Sequence, residues 1–369
     1  MAKTSSLPVW SWLAPVVAWC LLCGLWLMGL KPSSHTLLLG LLAAGMLGSV
    51  LAAVHHAEVI AHRVGEPYGT LLLAVAVTII EVALIVSLML TGGASTTALA
   101  RDTVFAAVMI ILNGMVGLCM LVGGSRFKEQ SFGLYGVSAS LATLAAIAVL
   151  TLVLPNYTTT TPGPFYSTSQ LSFIAVVSVV LYGTFVMVQT VRHRDYFLPE
   201  DLATNAASDA EVHADPPSNR MALVSLALLP ACLAAVVLLA KSLAPSIESA
   251  VASAGAPVAL VGVIIAAVVL LPEGVAALRA ARANRLQTSL NLALGSALAT
   301  IGLTIPAVAV VSIATGWTLT LGLDIKSCVL LVLSLFVCSL SLGTGRTTVL
   351  QGVVHLVIFA AYLFTTIVP

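Results

Sequence analysis

Apolar stretches of about 20 residues, each bounded by charges or by Pro and Gly, recur eleven times along the chain. They run approximately 8–29, 36–57, 68–90, 103–124, 132–154, 171–191, 221–240, 257–278, 288–314, 319–342 and 347–367. About 20 residues of helix cross the hydrocarbon core of a bilayer, so each stretch predicts one transmembrane helix. The ninth is long enough to tilt or to be interrupted. One long polar segment, Arg192 to Arg220, breaks the series. It holds Asp195, Glu200, Asp201, Asp209, Glu211 and Asp215 and the dipeptide Pro216-Pro217, and it reads as a flexible acidic linker.

The linker leaves five spans on each side of it, with the first helix as an extra. The predicted fold is therefore an all-α polytopic membrane protein of 1 + 5 + 5 transmembrane helices. Its divisions are 1–35 (the extra helix), 36–191 (first five-helix repeat), 192–220 (linker) and 221–369 (second five-helix repeat). Glu81 lies on the second span of the first half and Glu273 on the second span of the second half. These are the third and the eighth spans, an odd separation of five, so the two helices run in opposite directions, which is the pattern of an inverted-topology repeat.

Composition agrees with this picture: of 369 residues 60% are hydrophobic and 8% charged, against roughly 25% charged in an average soluble domain. The net charge of +1 argues against a nucleic-acid partner, and no Gly-rich phosphate loop ending in Gly-Lys-Ser/Thr is present to hold ATP. Transport would then be driven by a gradient, with no cofactor. With the N-terminus placed inside, Lys3, Arg63, Arg126, Lys128, Arg192, Arg194, Arg220, Arg279, Arg282, Arg285 and Arg346 fall on the cytoplasmic side. Lys31, Arg101, Lys241 and Lys326 fall outside, a bias that predicts a cytoplasmic N-terminus and a C-terminus on the far side. The six cysteines (Cys20, Cys23, Cys119, Cys232, Cys328 and Cys338) all sit in apolar segments and read as small apolar fillers rather than a disulfide framework.

The chemistry-bearing residues are the few polar ones inside the spans. A charged side chain at the bilayer centre costs roughly 2.5 to 3.5 kcal/mol on insertion scales, so Glu81 and Glu273 are expected to face a wet or protein-lined interior and to serve transport or proton relay. Thr78 precedes Glu81 by three residues, on the same helical face, and the next span offers Asn113 within VMIILNGMVG. In the second half Pro272 directly precedes Glu273, and Pro306 marks a second expected helix break. Between them NLALGSALATIGLTIP supplies Gly295, Ser296 and Thr300. Carboxylates, hydroxyls, an amide oxygen and carbonyls freed by proline form the ligand set of hard cations. Thr78, Ser296 and Thr300 can equally bond their own helix backbone. His55, His56 and His62, with Glu58 and Glu66, cluster at the inner end of the second and third spans, where they read as an interfacial polar patch, with proton gating near neutral pH as the other reading. His355, one turn after Gln351, reads as a packing residue, and Asp324 and Lys326 as interfacial anchors.

At these residues the chain resembles a known family. GEPYGTLLLAVAVTIIEVALI (Gly65 to Ile85) and LLPEGVAALRAARANRLQTSLNLALGSALATIGLTIPAV (Leu270 to Val308) are similar to the two signature repeats of ChaA-type calcium/proton (sodium, potassium/proton) antiporters of the cation/calcium exchanger superfamily. The resemblance implies that Glu81 and Glu273 are the paired acids that bind the cation and exchange protons. It places Asn113, Gly295, Ser296 and Pro306 at matching positions of the two repeats. It also implies a bacterial cytoplasmic membrane protein whose partners are membrane lipid, inorganic cations and protons; assembly into a homo-oligomer is left open. Better-known eukaryotic calcium/proton exchangers carry Gly-Asn before each glutamate, a His after the second and a Gln after the Gly-Ser. Here Val77-Thr78, Val269-Leu270, Gly274 and Ala299 stand instead, which leaves sodium and potassium open beside calcium. The rivals are a cation channel or pH-gated cation pore, against which an inverted duplication within one chain argues, and an intramembrane enzyme, for which the sequence has neither H-E-x-x-H nor a pair of aspartates within the spans.

Overall fold

The structure is a computed structural model that describes residues 7–29, 36–65, 68–92, 96–198, 217–257 and 259–368. Eleven long helices account for most of these residues. They are α1 (Val9–Met28), α2 (Thr36–Val64), α3 (Tyr68–Gly92), α4 (Leu99–Phe127), α5 (Leu134–Tyr157), α6 (Thr168–Arg192), α7 (Asn219–Ser253), α8 (Ala259–Arg282), α9 (Leu286–Thr315), α10 (Ile325–Leu342) and α11 (Val349–Ile367). Ten are long and apolar enough to cross a membrane, and α3 contains a shorter apolar stretch, Val75–Leu90. In lipid the backbone has no water to bond, and helices satisfy their own N–H and C=O groups. The expected all-α polytopic fold is observed.

Several helices outrun the apolar stretches that predicted them. α2 continues to Val64, carrying His55, His56 and His62, and α7 runs 35 residues through Lys241, Pro245 and Glu248. A charged residue ends an apolar run, but only a change in backbone geometry ends a helix. The two expected proline breaks are corrected for the same reason: Pro272 lies inside a continuous α8, and Pro306 inside a continuous α9. Each proline still lacks an N–H, so the carbonyls four residues back, on Val268 and Gly302, lose their helical donor. The departures from α geometry fall in the first half instead. π-helical turns occur at Ile110–Met115 in α4, Val149–Val153 in α5 and Val188–Arg192 in α6.

The chain forms two compact units, one made of Met1–Leu88 with Ala210–Val261, the other of Met89–Asp209 with Gly262–Pro369. Each unit therefore draws on both halves of the sequence. In the first, α2 packs along α7 and α1 packs on both. Trp19 Nε1 donates to the Ala231 carbonyl at 3.1 Å. The buried His56 ring lies 3.1 Å from Ser225 Oγ and 3.0 Å from the Ser11 carbonyl. His55 sits against the Trp10 ring, and His62 is exposed. The His patch thus mainly ties α2 to α1 and α7; Glu66 lies outside the described residues.

In the second unit α4 and α9 are the most enclosed spans. α9 packs on α4, α5 and α6, and α4 on α11. Short latches fix both ends. At one end β1 (Gln130–Ser131) pairs antiparallel with β2 (Arg346–Thr347), Gln130 opposite Thr347. Gln130 Nε2 donates to the Ala281 carbonyl at 3.1 Å and to Asn284 Oδ1 at 2.9 Å, and the Gly133 N–H donates to Gln287 Oε1 at 2.6 Å. At the other end Asn156 Nδ2 donates to the Leu323 carbonyl at 2.6 Å, and the Thr320 N–H to the Thr97 carbonyl at 3.3 Å. α4 therefore finishes at the end where α9 begins, and the two run antiparallel. The same holds for α5 with α10 and for α6 with α11. In each pair the helices hold equivalent places in the two halves, the opposite directions an inverted repeat requires.

The α4–α11 crossing is set by glycine. A Cβ on Gly352 would stand 2.5 Å from the Leu121 nitrogen, and one on Gly117 would stand 2.9 Å from His355 Cβ. Backbone cannot yield as a flexible side-chain tip does, and small residues are what let membrane helices approach this closely. Gly352→Ala is expected to destabilise the protein by about 1–3 kcal/mol, the usual range for overpacking. Gly183→Ala on α6, where nothing lies within 4 Å, should be neutral or slightly stabilising. Thermal unfolding of the two variants side by side in detergent checks the difference.

Candidate functional site

α3 places Thr78 and Glu81 one turn apart, and both are 3% exposed. They belong to the first unit, and the remaining candidates belong to the second. There Glu273 follows Pro272 in α8 and is half-buried, Ser296 on α9 is half-buried, and Thr300 is 2% exposed. Their neighbourhood is built around the π-helical turn of α4. A cavity of about 360 Å³ is lined by Ile110, Gly114 and Met115 from that turn and by Ala267, Leu270 and Gly274 from α8. A Cβ on Gly274 would lie 3.4 Å from Met115 Cε. The segment bearing Glu273 is thus seated against the segment bearing Asn113, and α9 packs on the same turn.

Asn113 is fully buried, and its partners come from α10 and α11. Its Nδ2 donates to Ser334 Oγ at 2.8 Å, and its Oδ1 lies 3.3 Å from His355 Nδ1. On the far side of the ring, His355 Nε2 lies 2.8 Å from Ser341 Oγ. Neither Ser334 nor Ser341 stands out in the sequence, where serine is common in apolar spans. The signal present was their spacing: Ser334, Cys338 and Ser341 lie at i, i+4 and i+7, on one face of α10. A π turn widens the helix by one residue and often marks a functional position. The sequence hinted at it only through Gly114 beside the lone Asn113.

The other sequence candidates resolve into structural roles. Gln351 caps α11 rather than joining His355, its Oε1 accepting from the Thr348 N–H at 2.8 Å. Lys326 Nζ donates to the Thr365 carbonyl at 2.7 Å, tying the start of α10 to the end of α11. Arg101 bridges Asp102 at 2.8 Å and the Gly322 carbonyl at 3.1 Å. All six cysteines are free; Cys119, Cys232 and Cys338 fill the interior, whereas Cys20 and Cys23 are exposed on α1. Most of the acidic linker, residues 199–216, lies outside the described residues. Among the described residues no three His, Cys, Asp or Glu side chains gather into a group that could hold a metal ion.

Comparison with known proteins decides the family. The chain matches the sodium/calcium exchanger protein family over residues 34–191 and 224–368, which takes in both halves and omits α1 and the linker. The chain belongs to the sodium/calcium exchanger family. It is 52% identical over 368 residues to y4hA of Sinorhizobium fredii (strain NBRC 101917 / NGR234), whose name gives ionic transport as a provisional assignment; the match spans 100% of this chain and 98% of that protein. It is 41% identical over 321 residues to the sodium-potassium/proton antiporter ChaA of Escherichia coli (strain K12), spanning 87% of this chain and 86% of ChaA. Among solved structures, native YfkE matches with a TM-score of 0.71 at 18% identity, spanning 97% of this chain and 100% of that chain. At that identity the match speaks for the fold. The ChaA-type resemblance read from the two glutamate segments is borne out. An exchanger of this family is an ion-transporting membrane protein with many spans and not an enzyme, which removes the intramembrane-enzyme rival.

Ser334→Ala tests whether the Asn113 contacts are structurally important. It would leave the buried Asn113 Nδ2 with only the weak Met109 Sδ acceptor at 3.8 Å, a loss of about 1–3 kcal/mol. Ser339→Ala removes only a bond of 2.9 Å to its own helix carbonyl on Leu335 and should be near neutral. Melting temperatures of the two variants, measured together, are the check.

Proposed function

We propose that this exchanger moves sodium, potassium or calcium out of the bacterial cytoplasm against an inward flow of protons, by alternating access, with Glu81 and Glu273 as the carboxylates that carry cation and proton in turn. The observation that carries the reading is the pair itself: two glutamates at equivalent places in the two halves, each within a long apolar helix. Support for the proton as counter-ion comes from the ChaA relative, named as a sodium-potassium/proton antiporter. To the carboxylates the reading adds neutral oxygens, Thr78 one turn before Glu81 and Asn113, Ser296 and Thr300 from the unit that holds Glu273, as hard cations demand.

The electrostatics explain coupling. An ionised carboxylate within the membrane is costly unless a cation or proton neutralises it, so the loaded forms cross between facing states more readily than the empty, charged form. That difference enforces exchange and suppresses leak. Two protons against one divalent ion is electroneutral. A cycle that moves one net charge gains or loses about 2.3 kcal/mol per 100 mV. The excess of Lys and Arg in alternate loops supports a cytoplasmic N-terminus and a periplasmic C-terminus.

Purified protein in proteoliposomes with an imposed pH gradient tests the reading, with calcium, sodium and potassium flux measured separately. Glu81→Gln and Glu273→Gln are each expected to lower exchange at least 100-fold while leaving folding intact. Wild-type rates in either variant would remove that residue from the site. Flux that neither saturates nor needs a counter-gradient would identify a channel instead.

A further inference from the structure

We infer that His355 is a positioning residue for the cation site: it holds the Asn113 side chain in one orientation and so sets how well the amide oxygen serves the transported ion. The inference rests on the reading of Asn113 as a cation ligand and adds a residue to it.

The shortest hydrogen bonds of the site agree on one arrangement. Ser334 Oγ donates to the Leu330 carbonyl of its own helix at 2.7 Å, with Met109 Sδ a longer second acceptor at 3.4 Å, so toward Asn113 it accepts. The Asn113 group 2.8 Å away must then be the amide nitrogen. That puts Oδ1 toward α11, 3.3 Å from His355 Nδ1. An amide oxygen only accepts, so Nδ1 must carry the proton. In the neutral ring Nε2 is then an acceptor, which matches the Ser341 hydroxyl at 2.8 Å. Asn113, His355, Ser334 and Ser341 are all buried. The ring is fixed at both nitrogens, and the amide at both ends.

The backbone explains why the ring reaches Asn113. Gly117 and Gly352 bring α11 against α4, with His355 Cβ over Gly117, and Gly114 adjoins the Phe359 ring. The His355 proton engages one lone pair of Oδ1 and leaves the second for an ion. An amide held this way needs no reorientation when the cation arrives, which is the advantage a rigid supporting shell gives a binding site. The other tether, Ser334, lies on α10. Two of the helices that pack against this turn of α4 therefore act on one side chain.

The test is exchange in proteoliposomes by full-length protein, reading the apparent KM for the transported cation and the maximal rate separately. His355→Leu keeps bulk but removes the donor. Its KM is expected to rise about fivefold, the equivalent of one hydrogen bond of ~1 kcal/mol, with the maximal rate within about twofold of wild type. His355→Gln, which offers an N–H to Asn113 and an oxygen to Ser341, should restore KM. Asn113→Ala should raise KM as much or more, and the double variant His355→Leu, Asn113→Ala should be no worse than Asn113→Ala alone, since His355 acts through that amide. An unchanged KM in Asn113→Ala would end the ligand reading, and this inference with it. A raised KM in Asn113→Ala beside an unchanged KM in His355→Leu would overturn the His355 role alone, as would additive effects in the double variant. If His355→Leu does not reach the membrane folded, Ser341→Ala carries the test. It leaves the ring but frees its far side, and a KM raised about twofold with an intact rate supports the inference, whereas an unchanged KM overturns it.

Discussion

A polar group inside an apolar slab has no water to fall back on, so its partners must come from the protein. The second unit is arranged around this constraint. α4 carries Asn113 into the most enclosed part of the unit, and the helices adjacent to it supply Ser334 and His355 at bonding distance. That is feasible only because Gly117 and Gly352 remove the side chains that would hold α4 and α11 apart. Close glycine packing and buried hydrogen bonding are in this respect one requirement: the first brings the backbones near enough for the second.

The same reasoning explains where the helices depart from regular geometry. A π turn admits an extra residue into a helix and re-aims the side chains that follow. In α4 it occupies Ile110–Met115, the turn that contains Asn113 and lines a cavity with the Leu270–Gly274 segment of α8. The prolines of the second half act more quietly. Pro272 and Pro306 leave α8 and α9 continuous, each withholding one helical donor.

The two halves of the chain are interleaved. Each compact unit takes helices from both halves, and within the second unit the equivalent helices run antiparallel. Loop latches such as Gln130 to Asn284 and Asn156 to Leu323 join connections that lie over 150 residues apart in sequence. They hold the ends of the spans, where water and charge are available, while the interior is held by packing.

Much was legible in the residues alone. Runs of about 20 apolar residues predicted the eleven long helices, because a bilayer of given thickness demands that length. Glu81 and Glu273 stood out as candidates because a carboxylate in such a run is costly. Hydropathy could not show where a helix ends, so α2 and α7 outran their apolar stretches, and a proline read as a break proved compatible with a continuous helix. Nor could it show the partners of Asn113. Ser334 and His355 lie 221 and 242 residues away, and nothing local in a serine or a histidine says which distant amide it will meet. What the sequence determined by itself is what depends on the solvent, the count of spans and the cost of charge within them. What the tertiary structure decided is which polar atoms face one another, since that depends on helix crossings set by packing over the whole chain.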